Sequence, residues 1–132
     1  MGQWISSNHN HADEYMGSSL PYAIGNLTCT NGVARGIYFP YVTRWVQVFN
    51  NHATNALRVG FTKNGVEGNP DANYFVIKAG ESSARLEVKC ECIFLAGDGA
   101  DSTASLVAGY TNIPKDNFVG TLTGSAGFSG VG

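Results

Sequence analysis

Charge is scarce in this sequence. Only 14% of its residues are Asp, Glu, Lys or Arg, and the formal net charge is −2. That leaves no basic footprint for nucleic acid or an anionic membrane surface. It also leaves much of the surface to Asn, Ser, Thr and Gly, or to neighbouring subunits. No apolar run is long enough to span a bilayer. The first residues lack a basic stretch followed by an apolar core, so no secretory signal is expected. Cysteine is sparse too: Cys29, Cys90 and Cys92. An odd count without a secretion signal points to free thiols in a reducing compartment. No segment carries the 3.6-residue period of an amphipathic helix. No Gly-x-Ser-x-Gly elbow, phosphate loop or nucleophile–base–orienter spacing occurs. The expectation is a protein that is not an enzyme, with no cofactor and no metal.

What is present is strand-forming sequence. The stretch from Phe39 to Phe61 reads as two strands joined by a polar turn. Thr43 to Phe49 is rich in β-branched and aromatic residues, which suit a pleated, half-buried surface. Leu57, Val59 and Phe61 alternate with Arg58, Gly60 and Thr62, giving one buried and one solvated face. Asn50 to Asn55 supplies turn-forming side chains between them. Further on, Arg85 to Cys92 alternates charge and hydrophobe without a break, the clearest period-two run in the chain. It reads as one strand, with Leu86, Val88, Cys90, Cys92 and Phe94 on one face. At Ile93 and Leu95 the other face turns apolar. Either the strand enters a doubly covered region there, or a bulge switches its faces. Shorter strands are expected at Leu27 to Thr30, Arg35 to Phe39, Asn73 to Lys78 and Thr103 to Tyr110. Asn31-Gly32 and Ala79 to Ser82 read as tight turns, and Lys63 to Asn73 as a longer loop.

Seven or eight short strands with no helical period define an all-β fold, a two-sheet β-sandwich or barrel. With 132 residues, 43% of them hydrophobic, one domain can build a core without disulfides or metals. Strand count leaves a jelly roll and an immunoglobulin-like Greek key both open, although no Cys-Trp-Cys spacing of the antibody kind is present. The β-sandwich domain is expected over residues 27–114. Residues 1–26 show no sustained period and read as an extended N-terminal arm, with Trp4, Ile5 and Tyr15 as anchors. Residues 115–132 form a Gly-rich C-terminal tail carrying Phe128 and Val131 as apolar pegs. These five residues are the expected assembly contacts.

Four features invite chemistry and have a plainer reading. His9-Asn10-His11 has the His-x-His of cupin metal sites, but it sits in a polar arm without a well-spaced Glu and second His. Asn26-Leu27-Thr28 matches the glycosylation tripeptide, which has no use without secretion. Asp98 and Asp101 are loop acids that read as solvated rather than as a calcium site. Cys90 and Cys92 read as small buried hydrophobes.

The segment Phe39-Pro40-Tyr41-Val42-Thr43-Arg44-Trp45 resembles the Phe-Pro-Tyr-Val-Thr-Arg-aromatic stretch of small capsid proteins from large icosahedral DNA viruses of eukaryotes, the giant viruses. The likeness continues through Leu57 to Phe61, Asn64-Gly65-Val66, Asn73-Tyr74-Phe75, Ala108 to Pro114 and the Gly-Val-Gly ending. Tyr110 stands where that pattern has leucine. The resemblance covers roughly the last hundred residues and leaves the N-terminal arm outside. It implies a single jelly roll, and a viral structural role as the penton at the fivefold vertex or as another minor capsid protein. The implied partners are other copies of itself in a homopentamer, the major capsid protein and other minor capsid proteins. The implied location is the virion, after assembly in the host cytoplasm, with the arm pointing towards the shell or an inner membrane that the protein does not span. No nucleic-acid partner is implied.

Two other readings compete. A phage-type capsid decoration protein shares a looser Asn-x-Gly…Gly-Phe pattern and assembles as a trimer. A carbohydrate-binding jelly-roll module would need Tyr22, Tyr38, Tyr41 and Tyr74 together on one concave face.

Overall fold

The computed structural model describes residues 20–69 and 71–114. Within them the chain forms two antiparallel sheets and one short helix. The strands are β1 (Leu20–Cys29), β2 (Arg35–Tyr38), β3 (Tyr41–Asn50), β4 (Ala56–Gly60), β5 (Tyr74–Ile77), β6 (Cys92–Asp98) and β7 (Ser102–Pro114). The first sheet has the order β1-β7-β3, the second β2-β6-β4-β5. Side chains from both sheets meet in one core, including Val46, Leu106 and Ala108 from the first and Leu57, Ile93 and Leu95 from the second. The expectation of an all-β fold holds.

β1 starts at Leu20, so residues 20–26, expected in the arm, belong to the first sheet. A bulge hides this in the sequence. The register slips between Ile24 and Leu27, and Asn26 takes a left-handed conformation with φ of 55°. Tyr22 and Ile24 point inward before the slip, Leu27 and Cys29 after it. The inward residues thus change from even to odd numbers, and no single period survives.

The period-two run from Arg85 does not form one regular strand with β6. The segment 81–91 follows the outer edge of β3 instead. Asn50 N–H donates to Glu81 O, Val46 and Leu86 exchange two bonds, and Thr43 N–H donates to Cys90 O. Hydroxyls break this ladder. Ser83 Oγ accepts from Val48 N–H, and Thr43 Oγ1 accepts from Cys90 N–H while donating to Val88 O. At Glu91 the chain crosses to the second sheet, where Phe39 N–H donates to Glu91 O and Tyr38 pairs with Cys92. Cys90 and Cys92 therefore do not share a face, contrary to the strict alternation. Cys90 packs against the inter-sheet core and Cys92 lies in a second cluster on the far side of β6.

That second cluster explains the apolar run. From Cys92 to Gly97 every residue of β6 is buried. Ile93 and Leu95 face the core, while Cys92, Phe94 and Ala96 lie beside Val66 of a helix, α1 (Lys63–Glu67). The loop expected at Lys63 to Asn73 thus begins as a helical turn. Thr62 caps it, its hydroxyl accepting from Gly65 N–H at 2.9 Å. Gly68 ends it at φ 81°. Five residues are too few to hold a helix alone. Packing holds it: a Cβ at Gly60 would meet Val66 Cβ at 3.0 Å, so the missing side chain lets α1 lie on the sheet. Glu67 fastens the other side. It accepts from Ala34 N–H and pairs with Lys63, and these contacts hold its carboxyl below the usual range.

Candidate assembly surface

The two sheets have matching ends. Tyr38 pairs with Cys92, and Gly60 with both Phe94 and Tyr74, so these residues share one end of the second sheet. In the first sheet Leu20 lies opposite Tyr110, and Tyr41 opposite Pro114. Only Phe39 and Pro40 separate β2 from β3. The chain therefore enters at Leu20 and leaves at Pro114 from the same end of the molecule. The expected contacts Trp4, Ile5, Tyr15, Phe128 and Val131 lie outside the described residues, as do His9 and His11.

This end is aromatic. The Tyr22 ring meets Phe39 edge-on at 5.3 Å and Tyr110 at 5.7 Å, and Tyr41 lies 5.9 Å from Tyr110. The Tyr110 hydroxyl is buried with no hydrogen-bond partner among the described residues. Burial, with Tyr22 adding to it, pushes its pKa up to about 12. On the second sheet an open groove of about 320 Å³ runs between β4 and β5, lined by Val59, Phe61, Ala72, Asn73, Tyr74 and Phe75. Its lining carries no charge. Beside it, Arg58 lies 4.4 Å over the Tyr74 ring and pairs with Asp98 at 2.9 Å.

The opposite end is polar and tightly bonded. Buried Asn50 donates to Asn55 O and Ile77 O, and accepts from His52 N–H and from the Ser102 hydroxyl. Asp101 accepts from Asn31 N–H at 2.8 Å. Asp98 and Asp101 thus each have a protein partner. Among the described residues no three His, Cys, Asp or Glu side chains gather as a metal site, and no helix is long and apolar enough to cross a membrane.

Two exposed surfaces stand out. Strands β2 and β5 are the two edges of the second sheet. Tyr38 and Val76 are exposed there, and Phe75 is 36% exposed, large apolar groups for an edge. The other surface is the first sheet, whose strands β1 and β7 contain no charged residue at all. The four tyrosines of the sugar-binding reading fall in two pairs rather than on one face, Tyr22 and Tyr41 against the inter-sheet core, Tyr38 and Tyr74 beside the cluster around Phe94. Tyr22 and Tyr41 pack in the aromatic end, Tyr38 leans on Phe94, and Tyr74 lies under Arg58.

The thiols are unpaired, with Cys29 and Cys92 buried and Cys90 half-buried. Burial is the main cause that moves Cys29 from 9.0 up to about 11, with Arg35 pulling back, and Cys92 up to about 12, with Cys90 and Glu91 adding. Burial also raises Cys90, against the Thr43 hydrogen bond. A raised folded pKa gives stability that is complete below the unfolded value and is lost as pH rises through the folded one. The urea midpoint is therefore expected to hold up to pH 9 and to fall steadily towards pH 11 and 12. A Cys29→Ala, Cys92→Ala double variant should show a shallower fall over that window.

Searches of protein-family models and of curated proteins return no match to this chain. Sequence reasoning missed the groove, the Asn50 hub and the Arg58 clamp. Thr62 and Gly68, a cap residue and a terminating glycine around a five-residue gap, were the available signal for α1.

Proposed function

We propose that this protein is a structural subunit of a viral shell: a single jelly roll of the penton type, assembling as a homopentamer at the fivefold vertices of an icosahedral capsid. The observation that carries the reading is the nesting of its strand pairs. β1 pairs with β7, β2 with β6, β3 with the segment 81–91, and β4 with β5. Counting 81–91 as an eighth strand, these are the rungs of one long hairpin whose tip is the β4–β5 connection. Rolling that hairpin brings β3 against β7 and β4 against β6, the two remaining pairings. An eight-stranded hairpin wrapped into two sheets is a jelly roll. The Phe39 to Trp45 resemblance then supplies the viral capsid reading, which the fold by itself does not specify.

The surfaces are compatible with a ring. A closed ring of one chain needs two different, complementary patches on each subunit. Edge β2 of the second sheet and the charge-free strands β1 and β7 of the first are two different patches suited to burial against neighbours. The bonded loops at the polar end are the candidates for lining the fivefold axis. The N-terminal arm leaves from the other end, towards the major capsid protein and minor capsid proteins. The separated tyrosines do not favour a sugar-binding module.

The deciding experiment is the absolute mass of the purified full chain in solution, with metal content read on the same sample. A metal-free closed pentamer is the expected result. A trimer would replace this reading with the decoration protein. A monomer that neither forms rings at high concentration nor binds capsid proteins would remove it.

A further inference from the structure

We infer that the groove between β4 and β5 is the seat of this chain's own C-terminal tail, with Phe128 as the side chain inserted. The inference stands apart from the capsid reading and needs no partner.

The groove is uncharged and flanked by the half-exposed Phe75 ring. Its outer strand, β5, has a partner on one side only among the described residues. Such an edge, carrying Phe75 and Val76, invites pairing with foreign strands unless something covers it. The occupant must be uncharged, apolar at one point, and able to reach. From Gly120 to Gly132 the sequence contains no charged residue, and its only aromatic side chain is Phe128.

Position selects the tail over the arm. Pro114 leaves the first sheet beside Tyr41 of β3. β5 lies under β3: the Asn50 side chain of β3 donates to Ile77 O of β5, and the chain passes from β5 directly onto the outer edge of β3. The arm departs from β1, the strand on the other edge of the first sheet. The groove opens at the same end from which Pro114 exits, since Tyr74 pairs with Gly60 there. With strands about 4.8 Å apart and sheets about 10 Å apart, the gap from Pro114 is on the order of 20 Å. The residues from Pro114 to Phe128 span up to about 45 Å when extended. A tethered segment with such reach meets its site at an effective concentration of about a millimolar, which favours it over a second copy in dilute solution.

The test compares amide NMR spectra and hydrogen exchange of the full chain with those of the full-length F128A variant. F128A changes none of the described core residues. Shifts confined to residues 59–61 and 72–76 are expected, with exchange in that segment about tenfold faster. Phe75→Ser, altering the other side of the contact, should move the amides around Phe128 in return. The differences should be the same at every protein concentration. Unchanged groove amides in F128A would overturn the inference. A difference that appears only at high concentration would overturn it too, by assigning the groove to the tail of a second copy.

Discussion

Replacing Gly97 with alanine is expected to lower stability by about 3 kcal/mol or more, the largest effect of adding a methyl group at any glycine among the described residues. A Cβ at Gly97 would lie 2.1 Å from Ala100 O and 3.0 Å from Cys29 O. Both are backbone atoms, so no side chain can swing aside. The strain falls where the chain is most constrained. Gly97 N–H donates to Thr30 O, and Gly97 O accepts from Gly32 N–H. These bonds tie the end of β6 to the loop after β1, and the turn from β6 into β7 closes over them. Against a typical total of about 5–15 kcal/mol, a loss of that size leaves little reserve. Urea unfolding of the full chain, followed by tryptophan fluorescence, measures it. A midpoint within error of the parent would show that the turn at Ala100 yields freely.

Removing the Asn50 side chain is the second large effect. Asn50→Ala is expected to cost about 3–5 kcal/mol, because four hydrogen bonds disappear at one buried point. The carbonyls of Asn55 and Ile77 lose a donor, and His52 N–H and the Ser102 hydroxyl lose an acceptor. Asn50 sits on β3 and Ile77 on β5, so the side chain also joins the two sheets. The Asn50→Asp variant separates shape from hydrogen bonding. It keeps the one oxygen that accepts from His52 and Ser102 but replaces the amide donor with a carboxylate oxygen facing two carbonyl oxygens. The neutral acid is then favoured in the folded state, and its folded pKa rises above the unfolded value of about 3.9. Stability is complete below that unfolded value and is lost as pH rises through the folded one. Urea midpoints at acid and neutral pH, each compared with the parent, should show Asn50→Asp partly restored in acid, where its single O–H serves one of the two carbonyls, and Asn50→Ala equally weak at both.

These two residues also mark how far a sequence can be read. Gly97 looked like ordinary turn punctuation beside Asp98 and Gly99, and Asn50 like the start of a polar turn. Both readings are locally right. What makes each residue indispensable is a partner far along the chain: Cys29 for Gly97, Ile77 and Ser102 for Asn50. The same limit applies to 81–91. Its alternation is real, with Leu86, Val88 and Cys90 half-buried and Arg85, Glu87 and Lys89 exposed. Alternation reports which side is wet, and not whether backbone groups or hydroxyls fill the ladder. Thr43 and Ser83 decided that from across the contact.

The candidate surface was legible only in outline. Low charge matched the uncharged strands β1 and β7, and the lack of a period near the start hid residues 20–26, which belong to β1. The groove could not be foreseen, because Val59 comes from β4, Phe61 from just beyond it and Phe75 from β5, with α1 and its flanking turns between them. Nor could the separation of the tyrosines, since residues on different strands have no fixed relation until the sheets pack.

The sequence alone determined the all-β class, the position of most strands and the absence of a helical period, because alternation and turn residues are local properties set by backbone sterics and side-chain direction. The tertiary structure decided the order of strands in each sheet, the crossing at Glu91, the bulge that draws residues 20–26 into β1, and the helix that exists only because Gly60 leaves room for Val66. Those outcomes depend on which buried surfaces meet, and burial is a relation between residues that the chain brings together only on folding.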